Sequence, residues 1–104
     1  MKTKTLEEGE LYIYFQNLAN SLTGRHVKIE IVGSRVGSQT LTDSSRLLGI
    51  TYEPKKKTLE ILVEGLDHIV DHPKSVSIEE DDGALVAMDI VDQSDQHQIL
   101  TLLK

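Results

Sequence analysis

The chain has 104 residues, of which 27% are charged, a formal net charge of −6 and no cysteine. That length holds one domain and one core, here residues 1–104, and the missing thiols exclude a disulfide scaffold, a thiolate metal site and a cysteine nucleophile. The N-terminal MKTKTLEEGE has no apolar core for a signal peptide, and no run approaches the roughly 20 apolar residues of a membrane span, so the expectation is a soluble cytoplasmic protein with no membrane partner.

Thr5-Leu6-Glu7-Glu8 matches a capping box and predicts a helix over about residues 6–23, with Gly24 as its left-handed terminator. Leu11, Phe15, Leu18 and Leu22 form an apolar stripe along it, joined by Tyr14 and Ala19. Residues 26–32 alternate with period two, Val27, Ile29 and Ile31 on one face, and predict a strand. Residues 33–45, GSRVGSQTLTDSS, are rich in Gly, Ser and Thr, with Val36 and Leu41 as the apolar anchors; they read as a long surface loop and the leading loop for function.

Residues 46–52 and 58–64 alternate again, placing Leu48, Ile50 and Tyr52 on one side and Leu59, Ile61 and Val63 on one side. Gly49 marks a bulge or a close backbone approach. Between the two strands, Pro54 stops the ladder and Lys55, Lys56 and Lys57 make a basic hairpin tip. Leu66, Ile69 and Val70 stand at helical spacing and predict one helical turn before Pro73. Strands follow at 74–80, with Val76 and Ile78 inward, at 84–91, with Val86, Met88 and Ile90 on one face and Leu85, Ala87 and Asp89 on the other, and at 96–103. The last two are apolar on both faces, so one face would meet the helix and the other a partner, a second copy or the interior of a curled sheet. The fold class is therefore α+β: an N-terminal helix packed on about six antiparallel strands, a meander either open or curled into a small barrel.

Charge is uneven. Residues 1–52 carry six Lys or Arg against five acids, whereas residues 53–104 carry five against twelve, and much of that acid sits at hairpin turns. Net acidity opposes diffuse binding to nucleic acid.

Leu47, Gly49, Ile50, Tyr52 and Pro54, then Leu59-Glu60-Ile61, then Gly65-Leu66-Asp67-His68 with His72-Pro73, resemble the pattern of a small bacterial family of domains of unknown function. The resemblance extends to Tyr14-Phe15 and to Gly24-Arg25, Val27 and Ile29-Glu30. The chain departs from it at Leu11, where members often carry Trp, at Lys56 and Lys57, where they carry acids, and at Asp95, where they carry Gly. The resemblance implies no activity and no catalytic residue.

The sequence raises three chemistries. His68 and His72 at i, i+4, flanked by Asp67 and Asp71, match half of a metal site if they lie on a helix, but Pro73 pulls His72 out of helical geometry; no metal or other cofactor is expected. Enzyme chemistry lacks a constellation: the acids fall in turns, no Gly-x-Ser-x-Gly element exists, and Gly33 to Gly37 lacks the lysine of a phosphate loop. An Sm-like nucleic-acid barrel would use Arg25, Lys28, Arg35 and Arg46 with Lys55 to Lys57, yet four aromatics make a poor stacking platform. The leading reading is a protein-interaction or self-assembling module, with Arg35, Val36, Leu41, Lys55, Lys56 and Lys57 as contact candidates; the Sm-like nucleic-acid barrel is the alternative, and a metal-binding domain using the His68/His72 turn the further one.

Overall fold

The computed structural model describes residues 2–35 and 37–103. Among them run β1 (Lys2–Leu6), α1 (Glu8–Leu22), β2 (His26–Gly33), β3 (Gly37–Glu53), β4 (Thr58–Val63), β5 (Leu66–Asp71), β6 (Ser75–Asp81), β7 (Ala84–Val91) and β8 (His97–Leu102). The strands form one antiparallel sheet in the order β1-β6-β7-β8-β2-β3-β4-β5, not closed into a barrel. The α+β class and the helix on an antiparallel sheet agree with the sequence. The strand count is eight rather than about six.

The two added strands have separate causes. β1 takes up residues assigned to the helix start: Thr5 pairs with Ser77 on β6, their hydroxyls 3.0 Å apart, so Thr5 cannot cap. Glu7 caps instead, and Glu10 Oε1 accepts the Glu7 amide at 2.9 Å while Lys4 Nζ lies 3.1 Å from the other oxygen; both contacts hold the Glu10 carboxyl below its usual range. β5 replaces the predicted helical turn. Gly65, at φ 84°, lets Leu66 fold straight back onto Val63, and the ladder to β4 then imposes period two: Val70 is 2% exposed while Ile69 beside it is 53% exposed. A helical stripe would have buried both.

The predicted loop at 33–45 is also strand. Gly33 pairs with Gly37 across the tight Ser34–Arg35 turn, and β3 runs back along β2 through Thr- and Ser-rich residues, the pairing with β2 and not their own propensity setting the strand. β3 changes partner partway along. Its residues to Arg46 pair with β2, and from Leu47 onward it pairs with β4. At that junction Gly24, at φ 91°, donates to the Leu47 carbonyl at 2.8 Å and Leu47 donates to Arg25 at 2.7 Å, which seats the end of the helix. Gly49 marks a register shift, and nothing lies within 4 Å of where its Cβ would stand, so its role is the bulge.

The interior is a single apolar cluster. Leu11, Phe15 and Leu22 of α1 pack on it, with Tyr14 and Leu18 at its margin, while Ala19 is exposed, off the expected stripe. The Tyr14 hydroxyl donates to Glu80 Oε2 at 2.9 Å, tying the helix to β6; burial first, and that carboxylate second, push the phenol up. In β7 a register shift at Glu79/Glu80 turns Leu85 inward with Met88 and Ile90, in place of Val86, which alternation groups with them and which is half-buried. Asp82 and Gly83, both at positive φ, form the predicted tight hairpin turn. No helix among the described residues is long and apolar enough to cross a membrane.

Candidate interaction surface

β3, β4 and β5 present one face to the core and one outward. Registers stack Ile50, Ile61 and His68 in an inward row, and Thr51, Glu60 and Ile69 in an outward row, with Leu62 and Asp67 on one side of it and Glu53, Thr58 and Asp71 on the other. The outward face therefore alternates carboxylates with exposed leucine and isoleucine. Its shallow groove, about 770 Å³, is walled by Tyr12 of α1 and crossed by Thr51, Glu53, Glu60 and Asp71, with Lys56 the cation at its end.

Asp67 stands diagonal to Glu60 across the β4–β5 ladder, and its carboxyl first, then burial, holds the Glu60 carboxyl above its usual range against a smaller opposing bond from Thr51. Two like charges on neighbouring strands destabilise a sheet. A carboxyl raised on folding costs nothing at pH below its unfolded value, 4.5, and its cost grows as pH rises through the folded value. Glu60→Gln is therefore expected to stabilise the chain at neutral pH by up to about 1 kcal/mol and to change little near about pH 3. Equilibrium urea titrations at both pH values check this; equal midpoints at neutral pH would remove the strained pair.

On the inner side, His68 reaches Gln98 of β8. Gln98, 7% exposed, commits its Nε2 to Asp92 Oδ2 at 2.9 Å, so its Oε1 must accept and His68 must donate from Nε2. Asp92 also accepts the amides of Ser94 at 2.9 Å and Gln96 at 3.0 Å. Burial alone would push this carboxyl up; the donors Gln98, Gln96 and Ser94, with Lys74 nearby, outweigh it and hold it low.

The sequence-predicted candidates do not converge on one site. His68 lies on β5 and His72 just past its end, where, at φ 48°, it donates its amide to Lys57 at 2.7 Å. The helical geometry that would have joined them does not exist. His26 faces Ser44 at 3.0 Å and His97 faces Asp89 at 2.9 Å. Among the described residues no group of three or more His, Asp or Glu stands close enough to hold a metal. Arg35 sits at the β2–β3 turn and Lys55, Lys56 and Lys57 in the β3–β4 turn, at opposite ends of β3, with Leu41 between them where the register shifts; Val36 lies outside the described residues. Lys57 Nζ lies 3.7 Å from Glu8 on α1. The residues that do share a face, Glu60, Asp67 and Ile69, carried one usable signal in the sequence: an alternation Asp67, Ile69, Asp71 that puts an isoleucine between acids.

A family described as "Family of unknown function (DUF5335)" matches residues 2–104. An uncharacterized protein of Aquifex aeolicus (strain VF5) is 35% identical over 103 residues, covering 98% of this chain and 93% of that one. No solved structure matches.

Proposed function

The chain belongs to DUF5335, a family of unknown function, and from that premise we propose that it is a protein-interaction domain, one unit over residues 1–104, that docks a protein partner on the outward face of β3, β4 and β5. The observation that carries this is Ile69, 53% exposed between Asp67 and Asp71 and beside the Glu60–Asp67 pair. An apolar side chain in water next to a strained carboxylate pair lowers stability in the free domain, and both features are relieved by a partner that covers the isoleucine and brings a cation. Phosphate would be repelled by the same face, so a nucleic-acid partner fits it poorly. We place the domain in the cytoplasm, in keeping with a chain that has no thiol to oxidise.

A photo-crosslinking residue in place of Ile69, and in a second chain in place of Ser77 on the outward face of β6, tests the assignment in producing cells. The expected result is an adduct with a different polypeptide from position 69 and none from position 77. With that partner purified, Ile69→Asp should weaken binding about tenfold or more while leaving the unfolding midpoint nearly unchanged. Adducts between copies of this chain alone would make the face an assembly surface. Equal adducts from both positions would overturn it.

A further inference from the structure

Resting on that docking face, we infer that the partner is recognised as an added strand: an extended segment bearing Lys or Arg four positions apart, with an apolar residue midway between them, pairs with the free edge of β5. Among the described residues, β5 has β4 on one side and no strand on the other. The His72 amide donates to Lys57, and residues 72 and 57 stand in the register that joins Asp71 to Thr58 and Val70 to Leu59. In an antiparallel ladder the bonded positions alternate. His72, Val70, His68 and Leu66 therefore turn their backbone groups toward β4, and Asp67, Ile69 and Asp71 turn theirs away. Among the described residues, β4 is the one strand that β5 pairs with, and none of those three makes a turn or loop backbone bond. Three N–H and three C=O groups in a row form a template for another strand.

The other exposed edges are blunted. β1 carries Lys2 and Lys4, and the first half of β3 is shifted in register against β2 at two places, which breaks its flatness. β5 pairs with β4 without a shift along its whole length. Its outward side chains, Asp67, Ile69 and Asp71, set the pattern of the incoming strand: a cation opposite each acid, an apolar residue opposite Ile69, and apolar residues between them continuing the inward row of Leu66, His68 and Val70. The same acids reject a second copy. Two β5 edges paired antiparallel about Ile69 would set Asp67 against Asp71 twice, and like charges directly opposite destabilise a pair.

The probe is a capped peptide with the core Lys-Val-Ile-Val-Lys, titrated into the full chain and read by amide hydrogen exchange. In the free protein the amides of Asp67, Ile69 and Asp71 should exchange fast while those of His68 and Val70 are protected. Saturating probe should slow the first three about tenfold or more; a probe with Glu for Lys should not, and the Asp67→Lys, Asp71→Lys double variant should reverse that preference. Ile69→Pro keeps every bond to β4, because the lost amide faces outward, and should abolish the protection. Probe-induced shifts at Glu60 and Leu62 with the three amides still exchanging fast would leave the docking face standing and overturn strand addition. Protection of the three amides in a dimer without probe would assign the edge to a second copy, and no change at millimolar probe would overturn the inference as well.

Discussion

Phe15→Ala is expected to lower the stability of the chain by about 3–5 kcal/mol, read as the change in unfolding free energy from equilibrium urea titration. Phe15 is 1% exposed, sits midway along the apolar stripe between Leu11 and Leu22, and meets the Tyr14 ring edge-on with centroids 5.3 Å apart. The cavity left by the phenyl ring opens directly between α1 and the sheet. Against a total stability of about 5–15 kcal/mol for a domain of this kind, the loss would leave a marginal or unfolded chain at 37 °C. Ile13→Ala, two residues away and 51% exposed, supplies the comparison and should cost under about 0.5 kcal/mol. A Phe15→Ala effect below about 1 kcal/mol would mean that the helix is not docked on the sheet.

That helix was legible because its period of 3.6 has no competitor over residues 11–22. The strands at Val27, Leu59, Val76 and Leu100 were legible for the matching reason: one face of each is buried, and alternation records it. What escaped was structure whose pairing partner lies far away in sequence. β1 exists because β6, seventy or more residues on, offers an edge, and nothing in Lys2 to Leu6 announces it. The β2–β3 arm is exposed on most of β3, so its side chains had no burial pattern to record, and Ser and Gly dominated the reading. Leu66, Ile69 and Val70 satisfied helical and extended spacing alike; the ladder to β4 decided. The candidate surface suffered from the same ambiguity, since assigning Ile69 to the core hid the residue that stands most exposed between two acids. Gln98 was invisible for another reason. A glutamine among alternating leucines reads as an outward position, and only its contacts with His68 and Asp92 explain why it is buried.

Those contacts make Asp92→Ala the second large effect, a loss of about 1–3 kcal/mol. Asp92 Oδ1 receives the Ser94 and Gln96 amides and closes the β7–β8 turn, and Oδ2 receives the Gln98 side chain. Alanine strips the acceptor from all three donors, and the Gln98 amide, buried, has no water to turn to. Asp92→Asn keeps one acceptor oxygen and so should cost less, which separates the hydrogen bonds from the shape of the turn. The sign of the pH dependence follows from the direction of the shift. The folded carboxyl titrates below its unfolded value of 3.8, so the stabilisation is complete above that value and is lost as pH falls through the folded one. The gap between the parent chain and Asp92→Ala in urea titrations should therefore be full at neutral pH and narrow toward about pH 2, and His68, whose Nε2–H donates to Gln98, should report the loosening in its ring signals. A gap that stays constant down to that pH would show that Asp92 acts through turn geometry alone, and that the His68–Gln98–Asp92 chain does not hold β5 to β8.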